Sequence, residues 1–181
     1  MDVAAQSAIK TLFGAEAIAT RVDQLAGDIA STRLKDLIVV AVLKGSFIFA
    51  ADLIRALHRH GLKPEIDFIY LASYDGERIS RGQVRVLRDV ESDIRGRNVV
   101  IVDDIFDSGR TLAFAKASLE TRGAARVLTC VLVDKQVPRA AGIVPDFVGF
   151  TCPPVFVVGY GLDYRNRYRE LPFIGELSAG Q

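Results

Sequence analysis

Two hydrophobic periods alternate along the chain. From Ala15 to Ser31 the residues Ile18, Val22, Leu25 and Ile29 recur at steps of four, three and four, which lines one face of a helix. Leu37 to Leu43 is then apolar at every position, as in a strand buried on both faces of a parallel sheet. Ser46 to His60 follows as a helix stopped by Gly61. Further strands are expected at Ile66 to Leu71, Val99 to Asp103 and Val127 to Val133, with a helix from Leu112 to Arg122 closed by Gly123. This βαβα order predicts an α/β fold with a mostly parallel sheet flanked by helices on both faces.

Two stretches depart from the alternation. Ser73 to Gly82 is polar, carries Gly76 and Gly82, and is followed by Gln83 to Leu87, a candidate short strand returning from the excursion. Excursions of this length in a compact domain are commonly lids or linkers. Beyond Pro138 the pattern changes to short strands at Asp146 to Phe150 and Val155 to Gly159, then to an irregular polar and aromatic tail.

Composition bounds the possibilities. The chain has 181 residues, 50% hydrophobic and 25% charged, which suits one globular domain spanning 1–181 with a substantial core. The longest strong apolar run, Leu37 to Leu43, is far shorter than the ~20 residues that span a bilayer, and Met1 to Lys10 lacks a basic segment followed by an apolar one. No membrane partner and a cytoplasmic location are therefore expected. Cys130 sits inside an apolar run and Cys152 precedes two prolines, so neither redox nor zinc spacing is present and both read as reduced thiols. His58 and His60, two apart near a helix end, point to different faces and read as surface residues.

A net charge of +1 argues against nucleic acid as the main partner. The arginines are nevertheless uneven, with six between Arg78 and Arg97 and a second group at Arg165, Arg167 and Arg169. They serve either as a solvated face or as a site for a polyanionic small substrate or an RNA.

The densest chemistry lies between Val99 and Thr111. Four apolar residues run into Asp103 and Asp104, then Ile105, Phe106, Asp107, Ser108, Gly109 and Arg110 lead to a helix start. Ligands collect beyond the carboxyl ends of parallel strands, where these acids fall. The first amides of a helix lack internal partners and, with the helix dipole, surround an anion such as a phosphate monoester. Carboxylates accept from sugar hydroxyls and serve as outer ligands for Mg²⁺. Ribose 5-phosphate carries both kinds of group. The plain alternative is a surface βα turn with solvated acids.

Val99 to Thr111 resembles the signature of the type I phosphoribosyltransferases, which bind 5-phosphoribosyl 1-pyrophosphate. Two further segments resemble the hypoxanthine-guanine members of that family, Val131 to Lys135 and Phe156 to Arg165. The likeness runs from about Leu12 to Leu177, nearly the whole chain. It implies a small hood, formed by N- and C-terminal segments, over the parallel sheet. Departures are modest: Asp75 to Gln83 is unusually charged, and Phe106 stands where a smaller aliphatic is expected.

The resemblance also assigns roles. Asp103, Asp104, Asp107, Ser108, Gly109, Arg110 and Thr111 would bind the phosphoribosyl group, with Asp107 as the general base. Lys44 and Gly45, in a βα turn that offers a second set of free amides, would hold pyrophosphate together with Arg169. Lys135 would donate to the exocyclic oxygen of a 6-oxopurine, since an ammonium has donors and no acceptor. Phe156 would stack on the base, the backbone at Val157 would read its edge, and Asp163 would bind Mg²⁺, with Asp103 and Asp104 acting on the ion through water or ribose. Ser73 and Tyr74 would open a mobile loop. The implied assembly is a homodimer or homotetramer.

The expected reaction joins hypoxanthine or guanine to the phosphoribosyl group and expels pyrophosphate, giving IMP or GMP in purine salvage. Competing expectations are transfer to xanthine or uracil, and an RNA-binding regulator that keeps the nucleotide site. The regulator would be marked by loss of Asp107 and a continuous basic face; Asp107 is present and the net charge is nearly zero.

Overall fold

The computed structural model describes residues 9–73, 84–139 and 142–178. Twelve elements follow one another among them: β1 (Ile9–Phe13), α1 (Ala15–Ser31), β2 (Leu37–Leu43), α2 (Phe47–Arg59), β3 (Glu65–Ser73), β4 (Val84–Arg88), β5 (Asn98–Phe106), α3 (Arg110–Thr121), β6 (Arg126–Lys135), β7 (Phe147–Cys152), β8 (Val157–Val158) and β9 (Ile174–Leu177). A six-stranded sheet has the order β4-β3-β2-β5-β6-β7, and a three-stranded sheet the order β1-β9-β8. In the larger sheet only the β3–β4 pairing is antiparallel. β2 and β5, the two most uniformly apolar runs, take its centre, where both faces must be covered.

Helices do cover both faces. On one side α1 presents Ile18, Val22, Leu25, Ala26 and Ile29, and α2 presents Phe49, Leu53 and Leu57, against Val100 and Val102 of β5. On the other, Leu112, Ala115 and Leu119 of α3 pack against Val99 and Ile101. Each large apolar side chain fully buried in these layers contributes about 1.5–3 kcal/mol. The hood is the smaller sheet, and it joins the two chain ends by antiparallel pairing of β1 with β9. Phe13 stacks on Phe150 with ring centroids 4.3 Å apart, which fastens the hood to β7. Arg21 of α1 donates to the carbonyls of Val148 and Gly149 and ties the same strand to the helix layer.

Several expected boundaries shift. β5 runs three residues past Asp103, to Phe106, because β6 also continues to Lys135 and supplies partners for Ile105 and Phe106. Asp103 is a strand residue as expected, and Asp104, Ile105 and Phe106 continue the strand rather than starting a turn. The expected strand Val155 to Gly159 shrinks to Val157–Val158, between Pro154 and a Gly159 held at φ +97°. The tail expected to be irregular contains β9. The charged excursion from Tyr74 to Gln83, including the loop residue Tyr74, lies outside the described residues; Ser73 ends β3.

Candidate active site

The chain leaves β2 through α2 towards β3, and leaves β5 through α3 towards β6, so the winding direction reverses between two adjacent parallel strands. The carboxyl ends of β2 and β5 face a crevice at that reversal, the usual ligand position in an open α/β sheet. A cleft of about 390 Å³ lies there, lined by Asp103, Asp107 and the turn Ser108–Thr111. Gly109 precedes α3 at φ +77°, a left-handed conformation that favours glycine, and no side chain caps the helix. The open first turn of α3 therefore presents donor amides to the cleft.

Strand alternation turns the two adjacent acids towards different neighbours, although their carboxyls stay within hydrogen-bond reach of each other. Asp103 lines the cleft and is only 5% exposed, while Asp104 faces the β2–α2 turn, where its carboxylate fills the space a Cβ on Gly45 would need. Burial, reinforced by the neighbouring Asp104 charge, pushes the Asp103 carboxyl well above the usual carboxylate range; burial raises Asp104 as well. A sugar hydroxyl donating to these carboxyls, or a cation arriving beside them, would offset the cost of burying their charge. Lys44 is exposed beside Gly45, and Ser46 is buried with its hydroxyl donated to Val42 at 2.6 Å.

Across the same turn lies the segment from Gly159 to Arg169. Gly161, at φ +101°, packs against the Gly45 carbonyl with no room for a Cβ. The Arg169 guanidinium donates to the Gly161 carbonyl and pairs with Asp163 at 2.6 Å, and the second Asp163 oxygen accepts the Asn166 N–H at 2.7 Å. Tyr160 anchors the segment by donating its hydroxyl to Asp52 of α2 at 2.5 Å. Gly45, Asp104, Gly161, Asp163 and Arg169 thus form one cluster, although they come from three separated stretches of sequence.

At the other end of the cleft, Lys135 Nζ lies 2.9 Å from Asp107 Oδ2. Arg139 approaches Asp107 from its main-chain side, donating from Nε to the Asp107 carbonyl at 2.7 Å. Phe156 is 49% exposed, with Tyr164 meeting it edge-on at 5.7 Å, so a broad ring face is free for a flat ligand. Val157, next to it, is buried in β8 opposite Glu176.

Asp52, Asp134, Arg139 and Tyr160 were not singled out from sequence. Gly159-Tyr160-Gly161 carried a usable signal, since two glycines this close mark backbone that turns through positive φ, and they take +97° and +101°. Arg139 carried little; besides the Asp134 carboxylate and the Phe106 ring, its partners are main-chain carbonyls that no side-chain pattern reveals. Among the described residues, no three or more His, Cys, Asp or Glu side chains gather as a metal cage. The carboxylates of Asp163, Asp103 and Asp104 are oxygen donors of the kind Mg²⁺ takes.

Residues 8–165 match the family model of the phosphoribosyl transferase domain. The chain is 40% identical to a hypoxanthine phosphoribosyltransferase from Buchnera aphidicola over 172 residues, covering 93% of this chain and 96% of that one. It is 39% identical to the hypoxanthine-guanine phosphoribosyltransferase of Bacillus subtilis over 169 residues, covering 93% and 92%. Among solved structures, the Trypanosoma cruzi hypoxanthine phosphoribosyltransferase in complex with its product IMP superposes with a TM-score of 0.86 at 41% identity, covering 93% of each chain. A Staphylococcus aureus hypoxanthine phosphoribosyltransferase gives 0.89 at 35% identity, covering 98% and 96%. With a reversed-winding crevice, an open helix start beneath paired acids and this degree of likeness, the chain belongs to the phosphoribosyltransferase family.

Proposed function

We propose that this chain transfers the phosphoribosyl group of 5-phosphoribosyl 1-pyrophosphate to hypoxanthine and guanine, in purine salvage. The observation that carries the reading is the 2.9 Å pairing of Lys135 and Asp107 at one end of the cleft. A cationic donor beside an anionic acceptor matches one edge of a 6-oxopurine, where the O6 acceptor adjoins an N7–H donor. An amino group at position 6 would face the ammonium with its own hydrogens, so adenine is disfavoured.

Each residue then has a task. The amides of Ser108 to Thr111 hold the 5′-phosphate, and Asp103 and Asp104 accept the ribose hydroxyls. Lys44, the backbone at Gly45 and Arg169 hold pyrophosphate. Phe156 stacks on the base, and Val157 reads its edge. N9 of the purine bonds to C1′ as the bond from C1′ to the pyrophosphate oxygen breaks, and Asp107 takes the N7 proton. General-base help of this kind contributes typically ~10²–10⁴ in rate. Asp163 would hold Mg²⁺, with Asp103 and Asp104 reached through water or ribose. Bound there, the ion would offset charge on the leaving pyrophosphate. Asp163 must exchange part of its pairing with Arg169 for that contact, which frees the guanidinium for the pyrophosphate.

The reading extends to a cytoplasmic homodimer or homotetramer. Two free, buried cysteines support a reducing compartment, and among the described residues no helix is long and apolar enough to cross a membrane. The test is nucleotide formation from hypoxanthine, guanine, xanthine, adenine and uracil, with and without Mg²⁺. Turnover of hypoxanthine or guanine that requires Mg²⁺ supports the reading. Preference for uracil or xanthine, or salt-sensitive RNA binding without turnover of any base, overturns it.

A further inference from the structure

We propose that Arg139 is a positioning residue that sets the spacing between the Asp107 carboxylate and the Lys135 ammonium; the inference rests on the roles given to those two residues above. The ladder between β5 and β6 ends with the pairs Ile105–Val133 and Phe106–Asp134. Past that point the Asp107 carbonyl lies beyond the ladder, beside Lys135, whose own carbonyl accepts the Val137 N–H at 3.0 Å and whose strand is held by the Lys135–Cys152 pair with β7. Arg139 spans the two strand ends. Its Nε donates to the Asp107 carbonyl at 2.7 Å and its Nη2 to the Phe106 carbonyl at 3.0 Å on the β5 side. On the β6 side the same Nη2 pairs with the Asp134 carboxylate, and the Lys135 carbonyl lies against the guanidinium.

The guanidinium is itself located by packing. It lies over the Phe106 ring, 4.1 Å from the centroid, and its side chain is 19% exposed. Phe106 is the residue whose size departs from the smaller aliphatic expected at this place, and the ring supplies a flat face on which a guanidinium stacks. Asp134 fixes the far side. One planar group thus contacts the main chain of both reactive residues without reaching the cleft, so it acts through them. A lysine at this position would offer a point charge without the fork or the stacking plane.

The consequences are selective. Displacing the Asp107 and Lys135 main chain spoils proton transfer and base recognition, whereas the phosphate cradle of α3 and the Gly45–Arg169 cluster stay in place. For Arg139→Ala and Arg139→Lys we expect kcat to fall about 10- to 100-fold, as ångström-scale misplacement of reacting groups does. We also expect KM for hypoxanthine to rise about tenfold, equivalent to the loss of one well-placed contact, with KM for 5-phosphoribosyl 1-pyrophosphate changing less than about twofold. In an Asp107→Asn background the same Arg139 substitutions should lower kcat by less than about threefold, because the group they position is already disabled.

Wild-type constants in Arg139→Lys overturn the proposal. So do an equal fall in both backgrounds and a comparable rise in both KM values. Should Arg139→Ala lose its cooperative thermal transition, Phe106→Leu removes the stacking plane while keeping apolar bulk. It must then show the same split between the two KM values, and a variant without the split overturns the proposal. An Asp107→Asn enzyme with unchanged kcat sinks the general-base assignment alone, and the brace is then decided by the hypoxanthine KM through Lys135.

Discussion

The Asp104 carboxylate occupies the volume into which a side chain on Gly45 would grow. That packing joins the β5 acids to the turn after β2, and it carries a first prediction. Gly45→Ala must move either the acid or the turn, because neither neighbour is the free end of a long side chain. We expect KM for 5-phosphoribosyl 1-pyrophosphate to rise about 10-fold or more, a cost on the order of the 1–3 kcal/mol of overpacking. Steady-state kinetics with hypoxanthine saturating would show it; an unchanged KM would remove Gly45 from the pyrophosphate site.

Asp107→Asn keeps the shape of the cleft and removes the base. The expected loss in kcat is about 10²–10⁴, with 5-phosphoribosyl 1-pyrophosphate binding retained. Pre-steady-state turnover alongside calorimetric titration separates the two effects.

Lys135→Gln keeps a donor but adds an acceptor and removes the charge. Hypoxanthine KM should rise on the order of 10-fold, since charge-assisted hydrogen bonds contribute about 1.5–3 kcal/mol. Discrimination against adenine should shrink, because an amide can present its oxygen to an amino group. Competition between hypoxanthine and adenine measures the change.

The Tyr160 hydroxyl ties the Gly159–Gly161 segment to α2 through Asp52. Burial first, and then the Asp52 contact, raise the Tyr160 phenol above its ordinary value of 10.0. The folded state therefore holds this proton where the unfolded chain releases it. Stability contributed by the neutral phenol is complete below about pH 10 and falls as pH rises from there towards the higher folded value. Tyr160→Phe should be less stable than the parent by about 0.5–1.5 kcal/mol at pH 8, with the gap narrowing above pH 10. Urea midpoints across that range would reveal it, and a gap independent of pH would refute the linkage.

The central strands were legible because their burial on both faces leaves no polar positions to obscure them: β2, β5 and β6 read directly as apolar runs. β9 was not, since four residues in a polar tail acquire strand character only by pairing with distant partners, β1 on one side and β8 on the other. The acids and the α3 turn were legible as a local string. Their division between two sides of β5 was not, because it depends on how far the strand continues, and β6 decides that. Gly161 was visible within a motif, yet the lack of room for a side chain there arises from the Gly45 carbonyl, far earlier in the chain. The place of Arg139 was not legible because most of its acceptors are peptide oxygens, which every residue possesses.

The extension of β5 through its carboxylates makes the site sensitive to parity. In a pleated strand an odd-numbered shift exchanges every inward and outward side chain. Asp103 serves the sugar-phosphate cleft and Asp104 the glycine turn only because an unbroken count of residues links them to Val99 and Ile101 on one face and Val100 and Val102 on the other. Length changes are thus tolerated in the connections but not within this strand, where losing a single residue would trade the duties of two neighbouring acids.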